Sequence, residues 1–205
     1  MGKTQRYLEL SLVLALGTAN VLSELAGKGK LTVVVGGVVA WSLVLVRRQK
    51  RAPGFLARAL ALPQRWDGNL ALLAGGTVAG VGACAAIGAL NGKLSWDVSH
   101  WLMLGLYPLW GLAQQFLLQE VLACHLRAFL PRIALPLAAG LFALAHAPAW
   151  GVAAAVLPAA LFWLWLYPRV GSLPPFAVAH GFVGTAFFAW VEGRSFAQAL
   201  ALTWS

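Results

Sequence analysis

The sequence predicts an all-α polytopic membrane protein, a bundle of about seven transmembrane helices with the N-terminus inside and the C-terminus outside. Three observations carry that reading. Of 205 residues, 60% are hydrophobic and only 10% are charged, where an average globular chain carries about 25% charged residues. Apolar stretches close to the ~20 residues that cross a bilayer recur along the chain. The basic residues behind the net charge of +9 fall between those stretches. They therefore read as topology signals rather than as a nucleic-acid footprint.

The first span is expected from about Tyr7 to Leu25. Lys3 and Arg6 before an apolar run resemble the start of a signal peptide, but the run continues past Ala19 without a clear cleavage site, so it reads as a helix that stays. Glu9 and Glu24 lie near its two ends, where each can reach an interface. Gly27-Lys28-Gly29-Lys30 is a turn, and a second, short span follows over Leu31 to Val46. Residues 47–67 are the most basic segment, with Arg47, Arg48, Lys50, Arg51, Arg58 and Arg65 against a single Asp67. A basic loop that sets orientation is the simpler reading there; an amphipathic helix on anionic lipid is the other.

A third span is expected over Asn69 to Leu90, where Gly76 and Gly80 give a small-xxx-small spacing that permits close helix approach. The fourth runs from about Val98 through Cys124, the fifth from Arg132 to His146, the sixth from Trp150 to Tyr167 and the seventh from Pro175 to Val191. No linker is long enough to divide the chain. It reads as one membrane domain, with 1–97 as N-terminal helices around the basic segment and 98–192 as the half that carries the polar motifs. Placing the N-terminus inside puts 11 Lys and Arg on the inner side and 4 on the outer, which supports N-in, C-out. Trp96, Trp101, Trp150 and Trp190 fall near helix ends, as interfacial anchors do. Cys84 and Cys124 both fall in apolar helices and read as two small buried side chains, with no zinc-type spacing.

Function concentrates in the fourth helix. It carries Gln114, Gln115, Gln119 and Glu120 inside a long apolar run. Polar groups at membrane depth are costly unless they face protein or a wet cavity, so this helix should line something. On a regular helix Glu120 lies about 140° from Gln115 and about 120° from Gln114, on the face of Phe116, Cys124 and Arg127. Only a π-bulge or kink would re-aim it. A pairing of Glu120 with Arg127 competes with a site role, as helix-helix hydrogen bonding does for the glutamines. His146 follows Phe142 in F-A-L-A-H, and His180 begins H-G-F-V-G, ending at Gly184. His100 and His125 are expected at the interface.

Taken together, Gln114-Gln115-x-x-x-Gln119, Phe142-x-x-x-His146 and His180-x-x-x-Gly184 resemble the CPBP family, the CAAX-protease and bacteriocin-processing membrane proteins, over roughly Trp101 to Val191. Members of that family read E-E-x-x-x-R, F-x-x-x-H and H-x-x-x-N on successive helices. Gln114 stands 32 residues before His146, close to the family's spacing. A second register sets Gln119-Glu120 on the glutamate pair and leaves Cys124 at the arginine position. The first register is preferred.

The resemblance implies an intramembrane endopeptidase that hydrolyses a peptide bond in a membrane-anchored or lipidated protein. His146, His180 and Glu120 would be catalytic, and Gln114, Gln115, Gln119 and Phe142 would line the cavity. The chemistry asks for a carboxylate that takes a proton from water, and for histidines that steady the oxyanion. A glutamine amide does not act as that base, which leaves Glu120 as the carboxylate available. The alternative is a catalytically inactive relative that binds a membrane peptide, as an immunity or scaffold protein would. No cofactor is called for; a metal on His146, His180 and Glu120 is possible in type but not demanded by spacing. The partners expected are the bilayer and a membrane-anchored protein, with no nucleic acid, and the setting is a bacterial cytoplasmic membrane.

Overall fold

A computed structural model describes residues 2–195 and Gln198. It is all helical, with no strand among the described residues. Nine α-helices run in chain order among them: α1 Lys3–Ala26, α2 Lys30–Arg51, α3 Phe55–Leu60, α4 Gly68–Leu90, α5 Val98–Gln115, α6 Cys124–Phe129, α7 Ala134–Leu144, α8 Trp150–Val170 and α9 Pro174–Ala186. Two π-helical segments interrupt them, Phe116–Ala123 between α5 and α6 and Phe187–Glu192 after α9.

Five helices among the described residues are long and apolar enough to cross a membrane: α1, Leu31–Arg51 of α2, α4, α8, and Pro174–Glu192. They carry large apolar side chains on their outer surfaces, such as Leu8, Leu22, Val38, Val39, Leu72 and Val78. That is the surface of a chain solvated by lipid, an integral membrane protein. The expected fourth span is divided into α5, a π segment and α6, and the expected fifth is the short apolar α7.

The helix boundaries have local causes. Gly27 ends α1 with a left-handed φ of 63°, and its N–H reaches the Glu24 and Ser23 carbonyls. Asp67 caps α4, accepting from the N–H groups of Asn69 and Leu70. Asp97 does the same for α5 through Ser99 and His100. The second span is longer than expected: α2 continues to Arg51, so the first four basic residues of the 47–67 segment sit on its C-terminal turns. The apolar middle of that segment forms the short helix α3.

The chain forms two compact units. Among the described residues, the first comprises 2–59 together with Phe116–Pro168; the second comprises Leu60–Gln115 and 169–195 with Gln198. The first holds α1, α2, α6, α7 and most of α8. Its core sets Leu118, Leu122 and Leu126 against Ala138, Ala139 and Phe142 of α7 and against Ala160 and Leu164 of α8. The second holds α4, α5 and α9. There α5 and α9 meet through glycine: a Cβ on Gly111 would stand 2.9 Å from the Ala177 carbonyl, and one on Gly181 would stand 2.9 Å from Pro108 Cδ. Backbones approach this closely only where side chains are absent.

Candidate functional site

The π-helical segment Phe116–Ala123 carries Gln119 and Glu120. Its wider turn breaks the regular 100° phase, so the angular argument from the sequence does not apply to Glu120. The Glu120 carboxylate accepts a hydrogen bond from the Tyr167 hydroxyl and lies 3.9 Å from Arg48 Nη1. The same Nη1 donates to the Glu120 backbone carbonyl at 2.9 Å. Glu120 is therefore not paired with Arg127, whose Nη2 instead donates to the Leu164 carbonyl at 3.0 Å.

Arg48 is the hub of this region. Its Nε donates to Glu9 Oε2 at 3.1 Å, and its Nη2 donates to the same oxygen. Its guanidinium lies 5.6 Å from the Phe55 ring centroid and 5.7 Å from that of Phe116, within cation–π range. His125 Nε2 stands 2.9 Å from Glu9 Oε2, and Gln5 donates to Glu9 Oε1 at 2.9 Å. Glu9, Arg48 and His125 are all buried.

Three expectations are corrected here. His125 is enclosed by protein rather than set at the interface. Glu9 is enclosed likewise, rather than free to reach an interface. Arg48 is the buried partner of Glu9 rather than a loop charge that only orients the chain. The cause is the same in each case: the partner is distant in sequence, Glu9 lying 116 residues from His125. The cysteines also divide, since Cys84 is buried but Cys124 is exposed.

His146 also belongs to the first unit, in the turn that follows α7. Its Nδ1 stands 2.8 Å from the Phe142 carbonyl. A carbonyl only accepts, so Nδ1 carries the hydrogen, and a neutral ring then presents Nε2 as its basic nitrogen. The Phe142 ring packs edge-on against the imidazole, with centroids 5.2 Å apart. The four-residue spacing of the motif is thus one helical turn in which Phe142 both buttresses the ring and fixes its tautomer.

In the second unit Gln115 and His180 are both buried, and the Gln115 amide nitrogen lies 3.4 Å from His180 Nδ1. Gly111, one turn before Gln115, gives the imidazole its space: a Cβ there would stand 3.2 Å from His180 Cβ. The Tyr107 ring lies 5.7 Å from the His180 ring. It also presses against Gly184, leaving no room for a Cβ at that position. An asparagine at 184, which the family pattern would supply, would collide with Tyr107. The Gln114 side-chain oxygen is buried, with no hydrogen-bond partner among the described residues.

Gln115 and His180, 65 residues apart in sequence, thus come into contact. Gln114 shares their unit. Gln119, Glu120, Phe142 and His146 belong to the other. Among the described residues no three His, Cys, Asp or Glu side chains gather as a metal-ligand set. Sequence reasoning missed Arg48, His125, Tyr167 and Tyr107 as members of polar clusters. It had one usable signal for the first cluster, the lone carboxylate Glu9 inside an apolar helix. Compared with protein-family models, with curated proteins and with solved structures, the chain matches none.

Proposed function

We propose that this chain is a membrane-embedded relative of the CPBP peptidases that binds a membrane-anchored or lipidated peptide segment rather than cutting it. The observation that carries the reading is the buried Gln115–His180 contact. In the preferred register an amide stands where the family has a carboxylate. It offers hydrogen bonds but takes no proton from water. The partner of a buried imidazole in the second unit is therefore neutral, which suits the holding of a peptide amide or carbonyl. The Gln114 oxygen adds a buried acceptor with no partner among the described residues. Glu120, the carboxylate left for acid-base work, is already engaged by Tyr167 and Arg48 in the first unit.

A second reading, an active intramembrane endopeptidase, draws on His146. Its Nδ1–H is committed to Phe142, the tautomer that leaves Nε2 to accept a proton. In either case we place the N-terminus and the 47–67 segment on the cytoplasmic side of a bacterial membrane, on the strength of the 11-to-4 division of basic residues.

The test uses the full chain in proteoliposomes with a lipidated single-span reporter that bears a photo-crosslinking residue. The expected result is no cleavage, together with a crosslink that is lost in His180→Ala. Cleavage by the wild type that disappears in His146→Ala overturns the binding reading and establishes the peptidase.

A further inference from the structure

The exposed charge at one end of the first unit is of a single sign. The start of α1 and the end of α2 lie side by side there, since Gln5 accepts from Arg51 and Glu9 accepts from Arg48. Both helices are long and apolar enough to cross a membrane, so these two ends share one membrane boundary. Lys3, Arg47, Lys50 and Arg51 are exposed on them, and Arg58 is exposed on α3. The acidic side chains of the first unit do not balance this charge. Glu9 is buried against Arg48, Glu120 is engaged by Tyr167 and Arg48, and Glu24 lies at the far end of α1. The partner of Arg51, Gln5, is neutral. The C-terminus of α2 offers about half a negative charge, too little for the three exposed cations on its last turns.

The face of α2 that carries these cations continues into apolar surface. Leu43, Val46, Arg47, Lys50 and Arg51 are all exposed, and they recur at steps of three and four residues, the spacing of one helix face. At 1.5 Å per residue, Leu43 and Lys50 stand about 10 Å apart along the axis, so the stripe passes from apolar to cationic within two turns. On α1, exposed Lys3 is followed one turn later by exposed Tyr7 and Leu8. The chain then turns at Gly54, with φ 85°. The Leu56 N–H donates to Gln49 Oε1 at 3.0 Å, and the Phe55 ring lies against the Arg48 guanidinium. These contacts hold α3 at the end of α2, with Ala59 buried and Arg58 exposed. A phospholipid has the same order, a phosphate at one end and hydrocarbon beneath it.

We propose that this end of the first unit is a docking face for anionic phospholipid. Arg47 and Lys50 pair with the headgroup phosphate, Lys3, Arg51 and Arg58 add to the positive field around it, and the acyl chains lie along Val46 and Leu43. The face selects lipids of net negative charge, because a zwitterionic headgroup brings its own cation to a surface that is already cationic. An acidic protein segment would answer the charge equally well, but it would leave the apolar half of the stripe without a counterpart.

The test uses the full chain in mixed micelles that contain equal amounts of phosphatidylglycerol and phosphatidylcholine, with native mass spectrometry counting the lipids each variant retains. The expected result is that the wild type retains phosphatidylglycerol over phosphatidylcholine. Arg47→Gln and Lys50→Gln should each reduce that preference about fivefold, and the double variant should reduce it further. Lys28→Gln, at the far end of α1, should leave it unchanged. Both substitutions spare the contacts of Arg48 and Arg51, and the single variants decide the matter if the double variant does not fold. Equal retention of the two lipids by the wild type, or a preference that the Arg47 and Lys50 variants keep, overturns the proposal. Polyglutamate that binds the chain in these micelles and displaces phosphatidylglycerol from it also overturns the proposal, and assigns the face to an acidic protein partner.

Discussion

The two units bury polar side chains in opposite ways. The first answers charge with charge: Glu9, Arg48, His125 and Glu120 converge from separate elements, and each buried charge meets another. Between α5 and α9 the second stays neutral. It brings α5 and α9 so close, through Gly111, Gly181 and Gly184, that an amide and an imidazole meet between them. Loss of one group should therefore be far more damaging in the first unit than in the second. Intrusion of a single methyl should be more damaging in the second than in the first.

The largest expected effect tests the charged centre. Arg48→Met leaves Glu9 buried beside an apolar side chain, and removing one partner of a buried ion pair costs about 3–5 kcal/mol. Glu9→Leu combined with Arg48→Met removes both charges and should recover most of that loss. Denaturant unfolding in mixed micelles checks it, as a four-member cycle. A double variant no more stable than Arg48→Met would show that the centre is held by something other than the pairing of these two side chains.

Next in size is the close approach of α5 to α9. A methyl on Gly111 meets the backbone oxygen of Ala177, which has little freedom to give way, so Gly111→Ala should cost about 1–3 kcal/mol. Gly140, on α7 of the first unit, has nothing within 4 Å of an added Cβ. Gly140→Ala should be neutral or stabilising by up to about 1 kcal/mol through helix propensity. The contrast between the two alanines, read from melting temperatures, tests whether glycine is needed at one site and incidental at the other.

That contrast also explains what could be read from the sequence. The rods of α1, α2, α4, α8 and α9 were legible because apolar length and basic punctuation are local properties. So were the polar run from Gln114 to Glu120 within an apolar stretch and the one-turn spacing of Phe142 and His146. The π segment was not, because nothing in F-L-L-Q-E-V-L-A announces it; the Arg48 guanidinium that serves the Glu120 carbonyl comes from 72 residues away. Arg48 itself was concealed among neighbours that do behave as surface charges. The role of Gly184 depends on Tyr107, which lies on another helix.

A smaller effect is expected within the neutral pair. Gln115→Leu and His180→Leu each leave a polar group facing an apolar one, at about 1–3 kcal/mol apiece, while the double variant leaves neither. Its cost should fall short of the sum of the singles by about 1 kcal/mol, the coupling energy that such a cycle measures. Additive costs would mean that the 3.4 Å contact contributes nothing beyond packing.

The smallest effect lies at the helix starts, where the units differ again. In the first unit, α1 and α2 start at Gly2 and Gly29 without a side-chain cap. In the second, α4 starts at Asp67, whose carboxylate is held below the usual range, first by the Leu70 N–H and then by the Asn69 side chain. A depressed carboxylate stabilises the fold above its unfolded value of about 3.9, and that contribution disappears as pH falls through the lower folded value. An asparagine in place of Asp67 would cap the helix as well but would not titrate. Asp67→Asn should therefore match the wild type near about pH 6 and lose less melting temperature on acidification to about pH 2.5. The other carboxylates titrate in both proteins, so the difference between their pH profiles isolates this one cap. Parallel profiles would mean that α4 is held in place by its packing in the second unit, and that the charge at its first turn is incidental.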